Sequence, residues 1–155
     1  MENASKVRCL QKNKDTDKWI TPPSLWKALD EEFHFDTFDP CPIDWQKGDA
    51  DGLEIDWAKT TFVNPPFSQI PLWLEKADRE WRKGKTIVFI MNMKTNLDAF
   101  HDVVLKNPVE IRFVRGRINF LHPDGRKSVN PFPNLILIWR KELSRPLEFC
   151  KTAAT

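Results

Sequence analysis

The chain has 155 residues, 24 lysines and arginines against 22 aspartates and glutamates, and a formal net charge of +2. That balance excludes a uniformly basic nucleic-acid coat and leaves only a local patch to contact phosphate. The length suits one domain with a real core and excludes a large separate recognition module.

Residues 1–18 are polar and charged and are expected as a flexible tail, 19–143 as the folded domain, and 144–155 as a second tail. Pro22 and Pro23, with Thr21 or Ser24 as cap, open a helix carrying Leu25, Trp26, Ala28 and Leu29. Phe33, Phe35 and Phe38 suggest a strand that ends at Asp39-Pro40. The polar stretch from 41 to 59 reads as irregular. Thr61-Phe62-Val63 is a short apolar approach to Asn64-Pro65-Pro66-Phe67, after which Ile70, Leu72, Trp73, Leu74, Ala77 and Trp81 recur at helical spacing until Gly84. Residues 86–93 form a continuous apolar, β-branched run, the pattern of a buried parallel strand. Leu97, Phe100, Val103, Val104 and Leu105 mark a further helix, and 110–121 and 134–140 two more strands around a turn at His122-Pro123-Asp124-Gly125. This order predicts an α/β sheet, mostly parallel with an antiparallel edge.

Asn64-Pro65-Pro66-Phe67 carries the chemistry. Two prolines fix the backbone and remove its amide hydrogens. The Asn64 side-chain oxygen and the Pro65 carbonyl are then both available as acceptors for one NH2 group, and Phe67 offers a face on which a flat ring stacks. Two acceptors and a stacking ring suit an sp2 amine such as that of adenine, and attack on a sulfonium methyl is the matching reaction. The plain alternative is a proline-rich turn after a strand.

The tetrapeptide resembles the catalytic motif of S-adenosylmethionine-dependent amino-methyltransferases. Its setting resembles the small phage-type DNA adenine methyltransferases (the Dam family). Trp19-Ile20-Thr21-Pro22, Asp39-Pro40-Cys41, Asp51-Gly52-Leu53, Trp57, Trp73, Gly116-Arg117-Ile118-Asn119-Phe120 and Trp139 follow in the same order, from about residue 19 to 140. The resemblance implies a compact, reduced Rossmann-like class I methyltransferase fold. It also implies transfer of a methyl group to the N6 amine of a flipped-out adenine in DNA, with S-adenosylmethionine as cofactor. Asn64, Pro65, Pro66 and Phe67 would be catalytic. Trp19, Thr21, Pro22, Asp39, Pro40, Asp51 and Asn64 would bind the cofactor. No Gly-x-Gly occurs in the chain, so the usual glycine-rich cofactor turn is missing and the pocket must be completed otherwise. Because the same tetrapeptide serves RNA adenine and glutamine-amide methyltransferases, these substrates stay open. So does a degenerate methyltransferase-like protein that binds nucleic acid without catalysis.

Among the cations, Arg112, Arg115 and Arg117 recur along one strand-like run. Arg126 and Lys127 follow in the loop and Lys94 ends an earlier strand. Of these, Lys94, Arg115, Arg117, Arg126 and Lys127 are the candidate DNA contacts, against a solvated sheet edge as the alternative. Site specificity is then short and loop-encoded, relaxed, or supplied by a homodimer. His34, His101 and His122 show no metal or triad spacing, and the acidic stretch Asp49, Asp51, Glu54, Asp56 misses the calcium-loop pattern, so no metal is expected. Trp19, Trp45 and Trp57 either line a pocket or pack. Three distant cysteines (Cys9, Cys41, Cys150) make neither a disulfide framework nor a zinc site, which suits a reducing cytoplasm, the host cell's if the chain is phage-encoded. No apolar run approaches the ~20 residues of a membrane span.

Overall fold

The computed structural model describes residues 17–128 and 131–141 and the backbone of 152–153. Most of both expected tails, with Cys9 and Cys150, lies outside the described residues.

Helix α1 (Pro23–Phe33) begins on a proline, where a missing N–H costs nothing, and buries Leu25 and Leu29 one turn apart. It ends at His34 in the left-handed region (φ 54). Strand β1 (Thr60–Val63) runs into the tetrapeptide, and helix α2 (Ile70–Arg82) leaves it after a short 3-10 turn, Phe67–Gln69. Strand β2 (Thr86–Asn92), a five-residue π turn (Phe100–Val104), β3 (Glu110–Arg115), β4 (Asn134–Trp139) and β5 (Thr152–Ala153) complete the order.

The strands lie in the order β1-β2-β4-β3-β5. β1 pairs parallel with β2, β4 runs antiparallel to both β2 and β3, and β5 pairs parallel with β3. The expected mostly parallel sheet is therefore corrected to a mixed one, and its antiparallel pairs occupy the centre. The apolar run of β2 is buried on both faces whichever way its neighbour points, so hydrophobicity carries no information about direction. Ile87, Phe89 and Met91 join Leu135, Leu137 and Trp139 beneath α2, with Ile70, Trp73, Leu74 and Ala77. Val88 and Ile90 join Ile136 and Ile138 beneath α1, with Leu25 and Leu29. The sheet is thus the middle layer of three.

One further expectation is corrected, and another is met with a change of helix type. The Phe33–Phe38 stretch is no strand: the His34 N–H goes to the Asp30 carbonyl and the Phe35 N–H to the Asp30 carboxylate, 2.9 Å away. Its rings pack instead, Phe33 on Phe35 and Phe35 on Phe62. In the expected helix around 97–105, the Leu105 N–H reaches the Phe100 carbonyl five residues back, which makes a π turn.

Arg112 does not reach solvent beside Arg115 and Arg117. It is buried between Glu32 of α1, which it grips with two nitrogens at 2.6 and 2.7 Å, and Glu110. The Arg112 hydrogen bond holds the Glu32 carboxyl below its usual range against the effect of burial. Arg112 thus ties α1 to the sheet.

On the other side, Glu80 of α2 is fully buried and collects Lys76, Lys83 and Lys85 at 2.7, 2.8 and 2.5 Å. The Trp57 N–H adds a bond at 3.1 Å. Burial pushes the Glu80 carboxyl up, and these donors together outweigh it and hold it far below its usual range. The Trp57 indole in turn donates to the Gly52 carbonyl at 2.7 Å. Gly52 crosses the Asp39-Pro40-Cys41 loop so closely that a Cβ there would stand 1.7 Å from the Pro40 carbonyl oxygen. Only glycine fits that crossing.

Candidate active site

The carboxyl ends of parallel strands are where open α/β sheets hold ligands, and Asn64 directly follows the end of β1 at Val63. Pro65 and Pro66 are buried, which fixes the loop between the strand and α2. The Asn64 Nδ2 lies 2.8 Å from the Trp19 carbonyl oxygen and 3.1 Å from the Thr21 hydroxyl. A carbonyl accepts and never donates, so the atom facing Trp19 must be the NH2 group. The Asn64 Oδ1 is then turned away, with no hydrogen bond among the described residues.

Residues 17–21 form a strap across this loop. Besides holding Asn64, the strap reaches Ser68, whose hydroxyl donates to the Asp17 carboxylate at 2.7 Å. Gln69 occupies the N-cap position of α2 without a side-chain capping bond. On its other edge the strap pairs with Leu121: the Ile20 N–H donates to the Leu121 carbonyl at 2.7 Å, and the Ile20 carbonyl accepts the Leu121 N–H at 3.0 Å.

A cavity of about 850 Å³ opens beside the strap and Asn64. Trp19, Trp26, Phe35, Phe38 and Phe62 give it flat apolar walls, and Asp30, Asp36 and Asp39 give it carboxylates. Each acid is fixed through one oxygen: Asp30 by the Phe35 N–H, Asp36 by the Thr60 N–H at 2.8 Å, and Asp39 by the Cys41 N–H at 2.8 Å. The second oxygens have no hydrogen bond among the described residues. A cationic nucleoside needs a stacking surface and anionic acceptors, and these walls supply both in a volume typical of cofactor sites.

Of the residues singled out as cofactor contacts, Trp19, Thr21, Asp39 and Asn64 line this cavity together. Pro22 is buried at the head of α1, and Pro40 is buried under Gly52; neither forms the lining. Asp51 lies off the lining in a turn, its Oδ1 accepting the Leu53 N–H at 2.9 Å. Trp26, Asp30, Phe35, Phe38 and Phe62 are lining residues that sequence reasoning did not single out. Trp26 left a signal, a large aromatic on the exposed face of an amphipathic helix. Phe67 also lies off the lining, half-buried, with its ring edge-on to Phe120 at 5.6 Å. It packs against both apolar layers at the end of the sheet.

Beyond Phe120 the chain makes a small hairpin over residues 120–128, closed by the Ser128 N–H on the Phe120 carbonyl at 2.8 Å. Arg126 and Lys127 are exposed on it, and Arg115 and Arg117 are exposed on either side of Gly116. The Arg126 Nε lies 2.6 Å from Asp124. The Arg126 backbone N–H, with that guanidinium and His122, holds the Asp124 carboxyl below its usual range. His122 is buried, with its ring edge against Trp19 at 5.2 Å. The hairpin is thus joined to the cavity wall. Lys94 stands apart from it in sequence, half-buried just beyond β2. Among the described residues no helix is long and apolar enough to cross a membrane, and no cluster of three or more histidines, cysteines and acids could hold a metal.

An open, mixed α/β sheet in three layers, with the Asn-Pro-Pro-Phe loop at the carboxyl end of a strand beside a cavity, is compatible with a methyltransferase-like fold. A model of the DNA N-6-adenine-methyltransferase (Dam) family matches residues 8–153, and the chain belongs to that family. The family name describes methyl transfer to N6 of adenine in DNA, which makes DNA the substrate class. No curated protein matches the chain.

Proposed function

We propose that the chain transfers a methyl group from S-adenosylmethionine to the exocyclic N6 of an adenine in DNA by direct displacement. The observation that carries this reading is the fixed orientation of Asn64: Nδ2 is held by Trp19 and Thr21, and Oδ1 is left as an acceptor beside the cavity. Asn64 Oδ1 and the Pro65 carbonyl would accept hydrogen bonds from the two amine hydrogens, drawing the nitrogen lone pair out of conjugation with the ring. The N–CH3 bond would form as the S–CH3 bond breaks, S-adenosylhomocysteine would leave as the thioether, and the methylated nitrogen would lose one proton to water. Phe67 would stack on the base. The target must leave the duplex stack to reach these acceptors.

Trp19, Thr21, Asp39 and Asn64 would hold the cofactor, with Trp26, Phe35, Phe38 and Phe62 as further walls. When bound, S-adenosylmethionine supplies an electrophilic methyl on a sulfonium. The residues' contribution is positioning and a fixed pair of acceptors, the kind of pre-arrangement that accounts for much of an enzyme's rate gain. Arg115, Arg117, Arg126, Lys127 and Lys94 would contact phosphate. With so short a hairpin, target choice is either encoded in a few bases, relaxed, or shared between two copies of the chain. A reduced cytoplasm containing DNA is the fitting compartment.

The test is tritiated methyl transfer to duplex DNA, single-stranded DNA and RNA in parallel. Label recovered as N6-methyladenine from DNA is the expected result. Label on RNA alone, or no label and no calorimetric binding of the cofactor, overturns it.

A further inference from the structure

We propose that Asp17 is a positioning residue for methyl transfer: by anchoring the strap to Ser68, it holds the Trp19 carbonyl and Thr21 hydroxyl in register against Asn64. The inference rests on the reading of Asn64 given above and extends it to a residue outside the cavity.

Asp17 is only 6% exposed, and no cation pairs with it among the described residues. A buried carboxylate is costly unless hydrogen bonds compensate it. Its partners both belong to Ser68: the hydroxyl at 2.7 Å and the backbone N–H at 3.3 Å. Ser68 follows the tetrapeptide directly, in the turn that leads into α2. That helix has no side-chain cap of its own, so its positive end lies near an anion donated from elsewhere in the chain, a favourable placement.

The geometry then divides the strap into anchor and effector. Asp17 grips just beyond the tetrapeptide, and Trp19 and Thr21 grip Asn64 at its start. These contacts recur at every second residue, so one short segment touches the loop at both ends. Without the anchor, the strap is still held from its other edge, by the Ile20–Leu121 pair and the Trp19 ring on His122, but no longer from the Ser68 side. The Asn64 amide then loses a fixed partner for Nδ2, and Oδ1 no longer has one direction. Misplacement on that scale lowers the rate of the bound complex rather than substrate affinity.

The experiment follows the Asn64 side-chain amide by 15N NMR in the wild type, Asp17→Ala and Ser68→Ala, with kcat and KM measured on the same proteins. In the wild type the two Nδ2 hydrogens should be shifted and slow to exchange. In Asp17→Ala they should move to values of a free asparagine, with kcat lower by on the order of 10–100-fold and KM for DNA little changed. Asp17→Asn keeps one acceptor and should fall between. Ser68→Ala removes only the hydroxyl bond and should move the signals the same way by less, which keeps the test available if Asp17→Ala does not fold. An unaltered Asn64 amide, or an unaltered kcat, in a folded Asp17→Ala protein overturns the inference. If the wild type methylates no DNA yet the amide responds as described, the anchor stands and the functional reading falls.

Discussion

The Trp19 carbonyl oxygen lies 2.8 Å from Nδ2 of Asn64, and because a carbonyl can only accept, one backbone atom decides which way the Asn64 amide faces. Thr21 adds a second acceptor at 3.1 Å. Thr21→Val keeps the shape and removes that acceptor, a loss of about 1 kcal/mol, and kcat should fall about fivefold at an unchanged fold. Asn64→Ala removes the amide altogether. Methyl transfer should fall by roughly 10²–10³, the scale for losing one pre-arranged polar contact to a transition state, while calorimetry still detects the cofactor. Retained transfer in Asn64→Ala would show that the amine is held by something else.

Gly52→Ala should damage the cavity from a distance. Its Cβ would stand 1.7 Å from the Pro40 carbonyl oxygen, so the Asp39-Pro40-Cys41 loop must move. Overpacking of this kind costs about 1–3 kcal/mol or more, and Asp39 moves with the loop. Denaturant unfolding should report the loss of stability, and cofactor titration a weaker affinity.

The Glu80 cluster sets an acid limit. Its carboxyl is held far below the usual carboxylate range in the folded chain by the lysines and the Trp57 N–H around it. A group with a depressed folded pKa contributes stability that is complete above its unfolded pKa and is lost as pH falls through the folded one. Stability measured by urea unfolding should therefore be flat above about pH 5 and decline progressively below it. Glu80→Gln leaves Lys76 buried without its carboxylate, at a cost of roughly 3 kcal/mol. The acid decline should be shallower in that variant.

The exposed cations should separate from the buried one by salt dependence. Arg117→Ala and Lys127→Ala should each lower the slope of log affinity against log salt by about 1, with kcat at saturating DNA retained. Arg112→Ala should leave the slope alone and destabilise the fold by roughly 3 kcal/mol, since it strips Glu32 and the buried Glu110 of a shared partner. A change of slope in Arg112→Ala would contradict the buried ion pair.

The parts legible in the sequence were those whose chemistry is local. Asn64-Pro65-Pro66-Phe67 carries its own rigidity, and α2 and β2 announce themselves by periodicity. What depended on partners far along the chain was not legible. Arg112 looks like its neighbours until Glu32, eighty residues away, is brought beside it. Asp17 reads as part of a polar tail because Ser68 is fifty-one residues distant. The aromatic spacing of Phe33, Phe35 and Phe38 resembles a strand, yet Asp30 takes the backbone N–H of Phe35 and turns the chain instead. The cavity walls were missed for a related reason: they come from α1, the 34–43 loop and β1, and no single window contains them.

The placement of β4 has a consequence for synthesis. This strand lies between β2 and β3 and pairs with both, yet it is made after them. Until residue 139 leaves the ribosome, β2 and β3 each present an open apolar edge, and neither can pair as it will in the finished sheet. Such edges are templates for unwanted pairing. The nascent protein therefore completes its sheet late, and a stop between β3 and β4 leaves a fragment in which both edges that β4 would cover stay open.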